Sequence, residues 1–284
     1  MNINFDDYSI GKSIINNIHR ECGKLDCDIK IMEVCGTHTR SIHKYAVPSL
    51  LPANLKLISG PGCPICVTPQ EYISQGVKLA VSRDVIITTF SDVLRVPSSL
   101  GSLADARSRG ADIRTVYSPL ESLEIAKSSD KEVVFIGVGF ETTAATIALT
   151  LINAKNYGIQ NFSILNYLKS MPNALRAITY ESPINGYICP GHVGSIIGND
   201  VFNDLATERN IPMVMAGFNS LDILSSILMI INMINRGESG CRNLYKRAVK
   251  ASGNIKGKNI ISSVFDSDSS IWRGLSTIDN SGYK

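Results

Sequence analysis

Short apolar, β-branched runs alternate along the chain with longer stretches whose apolar positions recur at helical spacing. Ile29 to Val34, Leu55 to Ser59, Val85 to Thr89, Val133 to Val138, Gly186 to Cys189 and Met213 to Ala216 read as buried strands. Strands that are apolar throughout, separated by amphipathic stretches, predict parallel sheets covered by helices. Nearly every run ends in a short turn of Gly, Pro, Cys or Thr. Open α/β sheets bind ligands at the carboxyl ends of their strands, so the chemistry is expected in those turns.

Two of the turns resemble each other. Ile58-Ser-Gly-Pro-Gly-Cys63-Pro-Ile-Cys66 aligns with Ile188-Cys-Pro-Gly191-His192-Val-Gly194, and Phe90 and Phe218 follow Cys63 and Gly191 at the same distance, an offset of 128 residues in both cases. Upstream, Glu33-Val-Cys35-Gly-Thr-His38-Thr corresponds loosely to Gly137-Val-Gly139-Phe-Glu141-Thr-Thr. The expected architecture is α/β, with two similar parallel-sheet domains facing each other across a cleft and a partial C-terminal segment. Residues 1–113 form the first domain, 114–237 the second, and 238–284 the start of a polar, poorly patterned C-terminal region. The plainer alternative is that strand–turn–helix units look alike wherever they occur.

Composition narrows the partners. The 28 basic and 25 acidic residues give +3 with no block of like charge, which speaks against nucleic acid or an anionic membrane surface. The start, Met1-Asn-Ile-Asn-Phe-Asp-Asp, lacks a basic region followed by an apolar core, so no secretory signal is expected. The longest apolar stretch, Ile223 to Ile234, is interrupted by Ser225 and Ser226 and falls short of the ~20 residues that span a bilayer. Seven cysteines, an odd number, suggest reduced thiols in the cytoplasm rather than a disulfide scaffold.

Three cysteines stand in shaped turns. Cys63-Pro-Ile-Cys66, flanked by Gly and Pro and leading into a helical pattern from Gln70, suits a dithiol–disulfide pair, with thiol pKa values lowered by a helix N-terminus. Two small buried cysteines would be the bland reading. Cys35 and His38 share the first turn of a predicted helix, where the imidazole can lower the thiol pKa, join it on a metal or carry a proton. Together Cys35, His38, Cys63 and Cys66 also make a structural zinc set. Glu141 opens a helix after a glycine turn that lacks the third glycine of a dinucleotide fingerprint, so it reads as a polar or proton-transfer group, or simply as a carboxylate at a helix dipole. His192 is a second strand-end imidazole. Cys22, Cys27 and Cys241 have no motif around them.

The motifs Cys35-Gly-Thr-His-Thr, Gly60-Pro-Gly-Cys-Pro-Ile-Cys-Val-Thr-Pro, Gly139-Phe-Glu-Thr-Thr and Pro190-Gly-His-Val resemble the signatures of the hydrogenase maturation factor family HypD. Phe90-Ser-Asp-Val-Leu-Arg95-Val-Pro, Gly110-Ala-Asp-Ile-Arg114 and Trp272-Arg-Gly274 are similar to further family segments, in the family's order. The resemblance implies an assembly scaffold with redox-active cysteines rather than a free-standing enzyme. With a small HypC-type chaperone and a HypE-type cyanide donor it would build the Fe(CN)2CO group of nickel–iron hydrogenase, serving the hydrogenase large subunit indirectly. Cys35 would then be a thiolate ligand to the iron, Cys63 and Cys66 the redox pair, and His38, Glu141 and His192 polar groups of the site. A zinc module and a thiol–disulfide oxidoreductase remain the alternatives.

Departures from the family pattern are Ala145, Gly194 for serine, and Asn219-Ser220 for Glu-Pro. The sequence ends at Lys284, where family members continue into a region whose four cysteines hold a 4Fe–4S cluster. Beyond Cys66 only Cys189 and Cys241 remain, so the given residues are not expected to hold that cluster.

Overall fold

The computed structural model describes residues 5–81, 85–181 and 183–284. The absence of a signal read at residues 1–4 therefore concerns residues outside those described. The chain forms two compact α/β units, one from residues up to Cys63 together with Leu175–Ile255, the other from Pro64–Ala174 together with Lys256–Lys284.

The first unit holds a five-stranded parallel sheet in the order β2-β1-β7-β8-β9, made of β1 (Ile29–Glu33), β2 (Leu55–Ser59), β7 (Gly186–Pro190), β8 (Pro212–Ala216) and β9 (Gly240–Asn243). Register is set by pairs such as Ile31 with Leu57 and Glu33 with Ile188. Helices α1 (Phe5–Cys22), α2 (Gly36–Lys44), α8 (Gly191–Ile197), α9 (Asp200–Glu208) and α10 (Ser220–Asn235) belong to this unit. The apolar stretch around Ile223 is the core-facing side of α10: Ile223, Ile227, Ile230 and Ile231 are fully buried with Ile18 and Cys22 of α1 and Ile31 of β1. Gly186 lets this helix lie directly on the sheet, since a Cβ there would stand 2.4 Å from Ile230 Cγ2. Among the described residues no helix is long and apolar enough to cross a membrane.

The second unit holds a four-stranded parallel sheet, β4-β3-β5-β6, from β3 (Val85–Thr89), β4 (Ile113–Thr115), β5 (Glu132–Gly139) and β6 (Phe162–Leu168). Helices α3 (Gln70–Ala80), α4 (Leu103–Ser108), α5 (Glu121–Lys127) and α6 (Glu141–Asn156) accompany it, and the chain returns to the first unit within α7 (Met171–Glu181). β5 is buried from Val133 to Gly139, as a central parallel strand must be.

The polar C-terminal segment has more order than its pattern suggests. After α11 (Ile255–Ser262) it forms an antiparallel hairpin of β10 (Ser267–Trp272) and β11 (Ser276–Tyr283). The hairpin is held by the buried Trp272, which stacks on Phe140, and by specific hydrogen bonds. The Trp272 indole donates to Ser281 Oγ at 2.8 Å, Ser170 N–H to Ser281 O at 2.8 Å, and Asn166 Nδ2 to Tyr283 O at 2.6 Å.

The two sheets share one order. In each, the first strand of the unit lies second, its successor lies outside it, and the next two strands continue on the other side. The 128-residue offset does not superpose these copies. Cys63 and Gly191 follow β2 and β7, two strands of one sheet, so the matching turns share chemistry without sharing a position.

Candidate functional site

A sheet in which the chain turns one way from β1 to β2 and the other way from β7 to β8 has a switch point between β1 and β7, where strand ends open a crevice. The first unit's candidate residues follow the strands at that point: Cys35 and His38 follow β1, Cys63 follows β2 and His192 follows β7. In the second unit the corresponding place lies between β3 and β5, and Glu141 follows β5.

Cys35 is the N-cap of α2, with extended backbone and 7 % exposure. Its N–H donates to Glu33 Oε2 at 3.0 Å, and the Thr39 hydroxyl donates to the other carboxylate oxygen. Burial pushes the Cys35 thiol up, against the pull of the Thr37 and His38 N–H groups, and the Glu33 charge adds to the rise. Burial likewise raises the Glu33 carboxyl. The turn after β2 is pressed onto this cap. Gly36 N–H donates to Gly62 O at 3.0 Å and Gly60 N–H to Glu33 O at 2.8 Å, while a Cβ on Gly62 would lie 2.0 Å from the Cys35 nitrogen. Glycine at 62 is thus a requirement of backbone contact. It sets Cys63 against Gly36, whose added Cβ would meet Cys63 Cβ at 3.4 Å.

Cys63 and Cys66 are disulfide-bonded, and the other five cysteines are free thiols. The pair closes the turn before Thr68, whose hydroxyl donates to Pro64 O at 2.8 Å. Helix α3 starts at Gln70 with Pro69 as its N-cap, so the cysteines precede the helix and do not cap it. A dipole effect confined to the first turn does not act on them as the sequence suggested.

His38 is fully buried. Its Nε2 lies 2.9 Å from Gly217 O, and its Nδ1 has no hydrogen-bond partner among the described residues. Burial pushes its pKa down to about 4. At neutral pH the ring is uncharged and provides no cation to lower the Cys35 pKa, which corrects that expectation. Phe218 joins the two imidazoles: its ring centroid is 4.7 Å from that of His38 and 4.0 Å from that of His192, and Tyr245 meets it edge-on at 5.8 Å. The loop carrying Phe218 is fixed by the Arg247–Asp222 ion pair and by the Asn219 cap of α10. His192 is exposed, and partial burial lowers its pKa.

Glu141, fully buried in the second unit, accepts from Met171 N–H at 2.8 Å and Ser170 Oγ at 3.1 Å, and its Oε2 has no partner among the described residues. Desolvation raises its pKa to about 7. In the same unit, beside Ser170 in the chain, the buried Lys169 has no carboxylate partner among the described residues and donates to Ser270 Oγ at 2.8 Å and Ile271 O at 2.6 Å, with burial lowering its pKa to about 8.

Among the described residues no group of three or more His, Cys, Asp and Glu is placed to hold one ion. The zinc set of Cys35, His38, Cys63 and Cys66 is not assembled, since two of its sulfurs form a disulfide and His38 faces Gly217 O. In the first unit Glu33, Phe218, Asp222 and Arg247 surround the candidate residues, and in the second Lys169 lies beside Ser170, a partner of Glu141. Glu33 and Phe218 stood in the repeated motifs without being candidates, and the other three had no sequence signal.

Fold and site define a two-unit parallel-sheet α/β protein with a thiol site on its strand ends. Residues 9–284 match the family described as HypD, hydrogenase formation hypA family. A protein of Methanocaldococcus jannaschii named for hydrogenase expression and formation is 41 % identical over 99 % of this chain and 78 % of its own length. The hydrogenase maturation factor HypD of Escherichia coli is 42 % identical over 89 % of this chain and 69 % of its own, and that of Rhodobacter capsulatus 38 % identical over 99 % and 76 %. The chain belongs to the HypD family.

Proposed function

We propose that this chain acts in hydrogenase maturation, as a scaffold that receives iron as substrate and supports assembly of the Fe(CN)2CO group with a HypC-type chaperone and a HypE-type cyanide donor. Cys35 is the iron ligand in this reading, Cys63 and Cys66 are the electron-exchanging pair, and His38, Glu141 and His192 are polar groups that accept or hold protons. The supporting observation is the contact between the backbone of the Cys35 cap and the Gly60–Cys63 turn, which brings the turn of a buried thiol against the turn that begins a disulfide.

The electrostatics suit a cationic guest. Burial first, and the Glu33 charge after it, hold the Cys35 thiol above its ordinary pKa; a metal ion reverses that balance and draws out the thiolate. A soft thiolate also suits low-spin iron with strong-field diatomic ligands. Anaerobic co-expression with HypC-type and HypE-type partners, followed by infrared spectroscopy of the purified complex, tests the reading. CN and CO stretching bands that vanish in Cys35→Ser are expected; no bands in the parent complex, with a functional HypD as positive control, would sink it.

A further inference from the structure

Beside the disulfide the second unit has a cavity of about 520 Å³, lined by Ile65, Cys66, Asp92, Arg95, Val96, Pro97 and Arg273. Cys66 is the exposed residue of the pair, Cys63 is half-buried, and only Cys66 lines the cavity. Arg95 and Arg273 are exposed, and among the described residues neither is engaged in an ion pair. Their backbones are anchored. Arg273 N–H donates to Val67 O at 2.8 Å, next to Cys66 in the chain, and Arg95 follows Val93 and Leu94, which are buried in the unit's core. Asp92 is the single acid on the wall, so two guanidinium groups outweigh it. Ile65, Val96 and Pro97 give an apolar face between the charges and the sulfur.

A guanidinium binds carboxylate through paired N–H donors, and an apolar wall fits a short methylene chain. We infer that this cavity admits a small carboxylate-bearing thiol, which reduces the disulfide by attack on Cys66. The inference rests on the reading of Cys63 and Cys66 as a redox pair. The incoming thiolate bonds to Cys66 Sγ as the Cys63–Cys66 bond breaks, and Cys63 leaves as thiolate. A second thiolate then attacks the small-molecule sulfur of the mixed disulfide and releases Cys66 thiolate. Two thiols are oxidised to one disulfide, and the protein disulfide gains two electrons.

The test uses the oxidised full chain under anaerobic conditions with three thiols of similar size: 3-mercaptopropionate, 2-mercaptoethanol and cysteamine, carrying negative, neutral and positive tails. Reduction is followed by alkylation and intact mass, and the trapped mixed disulfide is located by peptide mapping. The rate ratio of 3-mercaptopropionate to 2-mercaptoethanol should fall about three- to tenfold in R95Q/R273Q, the range expected for exposed arginine–carboxylate contacts. It should rise in D92N, and cysteamine should gain in R95Q/R273Q. The mixed disulfide should map to Cys66. An unchanged ratio in R95Q/R273Q, or mapping to Cys63, would overturn the inference while leaving the redox pair intact. If even 2-mercaptoethanol leaves the disulfide unreduced in the folded chain, the redox reading fails and the inference falls with it.

Discussion

Glu141 shows what burial does to one residue of the candidate site. Its carboxyl is raised from 4.5 to about 7, so the unfolded chain releases that proton at lower pH than the folded chain. Stability associated with the group is present below pH 4.5 and is lost as pH rises through 7, a penalty of roughly 3 kcal/mol at full ionisation. E141Q should therefore melt above the parent at pH 8, and the difference should disappear at pH 4; a gap of constant size across that range would contradict the assignment. Gly194 makes a second case. A Cβ there would stand 2.7 Å from the sulfur of Met215, which is buried, so the serine usual in the family does not fit beside this methionine. Because the clash is with the mobile end of Met215, G194S should lose only about 1 kcal/mol in urea unfolding, and M215V should restore part of it, giving a non-additive double-mutant cycle. Cys35, His38, Cys63, Cys66, Glu141 and His192 were visible in the sequence because reactive residue types stood in turns after apolar runs. Glu33 and Lys169 were not visible, because a buried charge inside or just after a strand shows its partners only when the chain is folded.

Among the elements, the clearest strands in the sequence are central ones such as β5 and β8, apolar from Val133 to Gly139 and throughout Pro212–Ala216, while the edge strand β2 was legible from its Leu and Ile residues. β6 escaped because it is an edge strand with Ser163 and Asn166 among half-buried positions, and β4 because it has three residues. The hairpin of β10 and β11 escaped because its strands are mostly polar and a few residues, Trp272 and Ile278 with specific hydrogen bonds, dock it. Lys169 is central to that docking, reaching two groups of β10 from the end of β6 and lying 5.4 Å from the Trp272 ring centroid. K169M would leave the Ile271 carbonyl and Ser270 hydroxyl without their charged donor, a loss of about 1.5–3 kcal/mol. Trypsin cleavage at Arg273 in the native state should accelerate about tenfold or more, while the global melting point moves little. Equal cleavage rates in parent and variant would show that the hairpin is held by other contacts.

At the scale of the whole molecule, the alternation of apolar runs with amphipathic stretches indicated a parallel α/β architecture and left open which strands pair. Periodicity marks a strand as buried, but it contains no address for its neighbour. β1 finds β2 on one side and, on the other, β7, reached only after the chain has built the other sheet. Fragments should divide accordingly. Residues 64–174 contain all of β3 to β6 and should show a folded sheet by amide dispersion, whereas residues 1–63 bring only β1 and β2, and two strands rarely suffice. A folded 1–63 would refute this account. The same topology sets a waiting time during synthesis. The backbone of Lys30 is bonded to Asn185, 155 residues later, and at about 5–20 residues per second that partner leaves the ribosome roughly 8–30 s behind. For that interval the nascent chain carries Cys35 beside an open strand edge, which makes this stretch a natural client for a holding chaperone.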